Sequence, residues 1–150
     1  MTQTFTANSI GPAFAMIAHE KITMNLAELF HHETDLQVVA PGTYLFQAGD
    51  PPDNMYVLLH GNAQVLVADR VVEEAVPGSL VGEMALIDRA PRAASVKAVS
   101  ECKFVPIDQK RFYFLVTQTP HFATHVMKIM SNRLRAMNQL LSAQQPDRWA

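Results

Sequence analysis

Two side chains in this chain stand where a carboxylate and a guanidinium could grip one small molecule. They are Glu83 and Arg92, nine positions apart in the run Gly82-Glu83-Met84-Ala85-Leu86-Ile87-Asp88-Arg89-Ala90-Pro91-Arg92. Gly82 lets the backbone turn sharply and pass close to a ligand. Met84 to Ile87 read as a short helical turn whose first N–H groups have no partners of their own. The small Ala85 allows close approach. A carboxylate accepts hydrogen bonds from sugar hydroxyls, and a guanidinium fork suits phosphate oxygens. Backbone N–H groups at a helix start add to an anion site. The chemistry implied is recognition of a phosphate attached to a sugar. Plainer roles stand beside it. Glu83 is favoured at a helix start by the dipole alone, and a lone arginine is usually solvated. If Arg92 points into a small barrel, it needs an anion, either Glu83 or a ligand phosphate. Leu86 and Ile87 either face the core or form a hinge that senses occupancy by packing against the following helices.

Other reactive side chains form no convincing set. His121 and His125 share a helical face, and His31-His32-Glu33 is a local cluster, but no third ligand sits at a recognisable spacing, so no metal site is expected. Cys102 has no evident activating neighbour and reads as an inert buried thiol. No nucleophile-elbow pattern occurs. Glu83 and Asp88 do not make a catalytic dyad, since nothing places a scissile substrate beside them. The sequence gives no support to an enzyme.

The elements that must position Glu83 and Arg92 follow from periodicity. Pro12 to about His32 has helical spacing. Short strands follow at Leu36–Val39, Thr43–Phe46, Met55–Leu59, Ala63–Val67 and Val71–Val76, punctuated by Pro41-Gly42, the loop Gly49-Asp50-Pro51-Pro52-Asp53-Asn54 and Pro77-Gly78. His60-Gly61-Asn62 reads as a hairpin connection. Ala94–Ala98 and Lys103–Ile107 are two further strands. Asp108 can cap a helix to about Thr117. Thr119-Pro120 opens a longer one, with an apolar stripe of Phe122, Val126, Ile129, Met130, Met137 and Leu141. The expected fold is α+β: an antiparallel, jelly-roll-like β-roll (35–107, with the ligand segment at 82–96), an N-terminal helical segment (1–34) and two C-terminal helices (108–146), in one domain spanning 1–150.

Composition sets limits. The 150 residues are 49% hydrophobic and 17% charged, the balance of a globular domain. A net charge of −2 offers no basic field for nucleic acid. The single cysteine cannot form an internal disulfide. Ile10–Ala18 is too short to span a bilayer and lacks a charged flank, so neither a membrane span nor a signal peptide is expected. The protein is expected to be cytoplasmic.

The segment Gly82-Glu83-Met84-Ala85-Leu86-Ile87, continued by Pro91-Arg92-Ala93-Ala94-Ser95-Val96, resembles the phosphate-binding cassette of cyclic nucleotide-binding domains. It is most similar to those of cAMP-dependent protein kinase regulatory subunits and bacterial cyclic nucleotide-gated channels. Pro41-Gly42, Gly49-Asp50-Pro51-Pro52 followed by Met55-Tyr56-Val57-Leu58, and Gly61 extend the resemblance over nearly the whole chain. It implies that Glu83 binds the ribose 2′-hydroxyl and that Arg92 pairs with the cyclic phosphate. It also implies that backbone groups of Gly82, Met84, Ala85, Ala93 and Ala94 line the same site. Ala93 stands where a threonine favours cGMP, which leans the reading toward cAMP. Val81 replaces the aromatic residue frequent before the cassette glycine.

The resemblance also makes the last helix a lid. Arg133, which interrupts its apolar stripe, either snorkels to the surface or reaches the base, and Trp149 is a second candidate cap. The chain ends soon after Pro146, so no DNA-reading module is expected. The reading is a stand-alone receptor for cAMP first and cGMP second. It needs no cofactor, signals to a protein effector, and is a monomer or a homodimer through the C-terminal helix. The alternative is an interaction protein with a degenerate, non-binding pocket.

Overall fold

A computed structural model describes residues 25–144. Most of the helix expected from Pro12 onward, and Trp149, lie outside the described residues. The described chain falls into two compact units, Asn25–Gln118 and the C-terminal part from Thr119.

The first unit is an α+β roll of eight strands. It opens with α1 (Leu26–Leu29), whose start is capped by Asn25 Oδ1 accepting from the Glu28 N–H at 3.3 Å. The strands are β1 (Gln37–Val39), β2 (Tyr44–Phe46), β3 (Met55–His60), β4 (Ala63–Val67), β5 (Arg70–Ala75), β6 (Leu80–Val81), β7 (Ser95–Ala98) and β8 (Cys102–Ile107). Helix α2 (Glu83–Asp88) lies between β6 and β7, and α3 (Gln109–Gln118) follows β8. Asp108 Oδ1 accepts from the Arg111 N–H at 2.8 Å, the cap expected of it.

The strands form two antiparallel four-stranded sheets, in the orders β1-β8-β3-β6 and β2-β7-β4-β5. Alternating residues of both sheets, among them Phe46, Leu58, Val96 and Phe104, pack between them. Met55, Tyr56, Val57 and Leu58 are buried without alternation, because α1 and α2 pack against β3. Burying one such large apolar side chain contributes roughly 1.5–3 kcal/mol.

The hairpin expected at His60-Gly61-Asn62 does not form. β3 and β4 belong to different sheets, so the chain crosses from one to the other there. Gly61, with φ +94, makes the crossing against the Glu101 carbonyl and the Cys102 backbone, where a Cβ has no room. The true two-residue hairpin is Ala68-Asp69, both left-handed, with φ 51 and 63, joining β4 to β5. Strand β6 was not anticipated; two residues are too few to carry a period. Cys102 is fully buried, and burial raises its thiol pKa, as expected of an inert cysteine.

The second unit contains α4 (Pro120–Gln144), 25 residues long. Pro120 stands in its first turn, as expected. Phe122 and Val126 are buried. Further along, Met127, Leu134, Met137 and Leu141 are exposed. With Met130 they recur at spacings of three and four.

One ion pair ties the roll together away from the 82–92 segment. Arg111 Nη2 donates to Glu33 Oε1 at 2.6 Å, and the Arg111 guanidinium lies over the Phe30 ring. The hydrogen bond from Arg111 holds the Glu33 carboxyl below its ordinary value, against the opposing effect of burial. A folded-state pKa below the unfolded one gives stability that is present above the unfolded value and lost as pH falls through the lowered one. Urea denaturation from about pH 6 to about pH 3 should therefore show stability falling with acid, and Glu33→Gln should flatten part of that slope. An unchanged slope would remove the pair from the acid response.

Candidate functional site

The site is built where the β2–β3 loop, α2 and the chain leading into β7 meet. The loop is held by its own polar groups. Asp50 Oδ2 accepts from the Gln47 N–H at 2.9 Å, and Ser95 Oγ accepts from the Ala48 N–H at 2.8 Å. Arg92 joins this loop through its backbone: the Gly49 N–H donates to the Arg92 carbonyl and the Arg92 N–H to the Asp50 carbonyl, both at 2.9 Å. The arginine is thus fixed at its base before its side chain makes any contact.

That side chain points inward. Arg92 is 5% exposed as a residue and Glu83 is 4% exposed, and they are the buried charged residues among those described. Nη2 of Arg92 donates to Asp53 Oδ1 and, at 2.6 Å, to the Asn54 carbonyl; Nη1 reaches the Gly82 carbonyl at 3.3 Å. Nε is buried and has no hydrogen-bond partner among the described residues. The guanidinium carbon lies 4.0 Å from the centre of the Phe46 ring and 5.9 Å from that of Tyr56. Burial, with the nearby Asp53 carboxylate, raises the Tyr56 pKa, so the phenol is held neutral.

Arg92 therefore meets its anion on the β2–β3 loop. Asp53, expected only to be loop, supplies the carboxylate, and its side chain is 66% exposed against 2% for Arg92. Asp53, Asn54, Phe46 and Tyr56 were not singled out from sequence. Their contacts with Arg92 cross some forty positions, and no local spacing signals them.

The segment 82–92 folds nearly as expected, with α2 one residue longer at each end than the turn read from sequence. Gly82 is left-handed at φ 77 and precedes α2 directly. Ala85 and Leu86 are buried, whereas Met84 is 49% and Ile87 50% exposed. Ile87 does not face the core: on a six-residue helix whose buried face carries Glu83 and Leu86, the next residue is rotated away. The Ala85 N–H, expected free, lies 3.3 Å from the Gly82 carbonyl. Ala93 is exposed and Ala94 half-buried, just before β7. Arg89 closes α2 at φ 59 and donates to Gln109 Oε1 at 3.2 Å, linking α2 to α3.

Arg133 is half-buried on α4, in the second unit. His125 is half-buried, and its pKa is lowered by burial and then by Lys128. Among the described residues no group of three or more His, Cys, Asp or Glu could hold a metal ion, and no helix is long and apolar enough to cross a membrane.

The arrangement offers one unfilled N–H donor on a buried guanidinium, with the buried Glu83 carboxylate next to Gly82. Residues 36–119 match the cyclic nucleotide-binding domain model, and the chain belongs to that family. It is 31% identical over 120 residues to the Pycsar effector protein XpPycTIR of Xanthomonas perforans, covering 79% of this chain and 40% of that protein. It is 35% identical over 82 residues to a cAMP-dependent protein kinase regulatory subunit of Hypocrea atroviridis, covering 55% of this chain and 18% of the subunit. The chain thus spans well under half the length of these relatives. The Thermus thermophilus catabolite activator protein shares the fold, with a TM-score of 0.68 and 22% identity over 78% of this chain and 62% of that one. These relationships bear out the β-roll with its C-terminal helices as an α+β fold.

Gly82 is the tightest point of the site. A Cβ there would fall 2.6 Å from Arg92 Nη1 and 3.3 Å from the Asn54 carbonyl oxygen. Gly42 has a similar φ of +80 with nothing within 4 Å of its Cβ position. Gly42→Ala should cost about 1 kcal/mol of backbone strain, and Gly82→Ala roughly 1–3 kcal/mol more. Chemical denaturation of both variants checks this; equal losses would mean that the guanidinium does not crowd Gly82.

Proposed function

We propose that this chain is a cyclic nucleotide receptor, binding cAMP first and cGMP second, and that it acts by binding and not by catalysis. The observation that carries the reading is the buried Arg92 guanidinium with its Nε–H unfilled. Asp53 meets it through one oxygen, on Nη2. A phosphate offers several acceptor oxygens and can engage two adjacent N–H groups at once. Arg92 then takes the cyclic phosphate, displacing the exposed Asp53 carboxylate. Glu83 accepts from the ribose 2′-hydroxyl. Backbone groups of Gly82, Met84, Ala85, Ala93 and Ala94 line the pocket, and Ala93 in place of a hydroxyl residue favours cAMP. The name of the kinase regulatory subunit, a relative in sequence, supports cAMP as well.

Ligand binding shifts a population. Contacts at Arg92 and Glu83 favour a state in which α2 and a C-terminal lid carrying Arg133 close on the base. The signal passes to a protein effector, in the cytoplasm. Helix α4 offers a route to a homodimer: Met127, Met130, Leu134, Met137 and Leu141 follow the three-four spacing of a coiled-coil seam, and Met127 and Leu134 are more than 60% exposed. The whole of residues 1–150 then acts as one receptor domain.

A second reading has one observation in its favour: Asp53 already satisfies Nη2 of Arg92, which suits a roll that no longer takes a nucleotide.

Calorimetry with cAMP and cGMP decides between them. The wild type should bind, and Arg92→Ala should show no measurable heat while keeping the circular dichroism of the fold. Equal affinity in the variant, or a wild type silent to both nucleotides, would overturn the receptor reading. Sedimentation of Leu134→Arg should show the loss of any dimer that the wild type forms; a dimer that survives would place the seam elsewhere.

A further inference from the structure

Phe46 ends β2, where the register with β7 shifts between Tyr44 and Phe46. Such an irregularity re-aims a side chain, and here the ring lies against the site. Two contacts define its place. The Arg92 guanidinium carbon is 4.0 Å from the ring centre. The ring's Cε2 is 3.3 Å from the position that a Gly82 Cβ would take. At 4.0 Å no oxygen fits between ring and guanidinium, so that face of the cation is closed to an acceptor. The N–H groups radiate from the edge of the guanidinium, and the edge still holds one unfilled donor, Nε.

We propose that Phe46 is a positioning residue of this site: its π face holds the Arg92 guanidinium so that an anion is received at the N–H edge and not on the face. This rests on the function proposed above and adds to it the group that orients the cation. A ring quadrupole attracts a desolvated guanidinium, which an aliphatic side chain of similar volume does not. The ring therefore keeps the fork aimed while the carboxylate of Asp53 is exchanged for ligand. A mere core filler would act by volume alone.

Fluorination separates the two, because it keeps the shape of the ring while withdrawing charge from its face. With phenylalanine analogues placed at position 46, cAMP affinity by calorimetry should fall stepwise from phenylalanine through 4-fluoro- to pentafluorophenylalanine, reaching about tenfold. Phe46→Leu should lose at least a similar factor and also lower the melting temperature, because Phe46 packs in the core; the fluorinated series, which keeps that packing, carries the comparison. Affinity independent of fluorination would overturn the proposal. A second readout needs no ligand. In NMR of the free protein the Arg92 Nε–H proton should lie upfield through the ring current and return toward its ordinary position in Phe46→Leu. A proton unmoved by the substitution would overturn the proposal even if cAMP binds. If the wild type ignores cAMP and cGMP, the receptor reading fails and the ring-current shift alone decides the placement of Arg92.

Discussion

A guanidinium that water scarcely reaches constrains most of this roll. Burying a cation costs several kcal/mol unless charge and hydrogen bonds replace its hydration. Arg92 meets that demand with one carboxylate, two backbone carbonyls and an aromatic face. They come from three pieces of chain: Asp53 and Asn54 before β3, Gly82 before α2, and Phe46 at the end of β2. The turn after β2 anchors its backbone, the residues before β3 hold its tip, and the glycine before α2 holds the other nitrogen. A shift in any of these elements would strand a buried charge, so the loop, the helix and the strand are coupled through one side chain.

The same arrangement is what supports the proposed anion site. The carboxylate on Arg92 sits on an exposed loop, while the arginine itself is buried. An ion pair with one solvent-facing member exchanges more readily than one with both members enclosed, since the leaving carboxylate regains its water. The unfilled Nε adds a donor that the resident carboxylate does not use. Around it the surroundings are apolar or neutral: Phe46 and Tyr56 are aromatic, and the Tyr56 phenol is kept protonated by burial. Buried charge among the described residues is thereby confined to Arg92 and Glu83.

The roll provides rigidity through its crossings. Gly61 carries the chain from one sheet to the other in a space that admits no side chain. Ala68-Asp69 makes the tight return inside the second sheet. The facing sheet covers one side of β3 and the helices α1 and α2 the other, and β3 begins immediately after Asp53 and Asn54. The β2–β3 loop is therefore strung between buried anchors, Phe46 and Met55.

Much of this was legible from residue order. Strand and helix periods, the Gly-Asp-Pro-Pro loop, the Asp108 cap and the glycine-led turn at 82 are local signals, and local sterics and hydrogen bonding act within a few residues. Glu83 and Arg92 were legible for the same reason, since one short segment carries both. The hairpin at Gly61 was misread because a glycine turn looks alike whether the next strand pairs with the last or leaves for another sheet; only the packing of the sheets chooses. Ile87 was misplaced because a six-residue helix has no period long enough to tell its faces apart. Asp53, Asn54, Phe46 and Tyr56 came to the arginine only through tertiary structure. The sequence by itself determined that a guanidinium and a carboxylate would stand on one small segment, because short-range chemistry sets that. Folding alone decided what surrounds them, because desolvation is a property of neighbours distant along the chain.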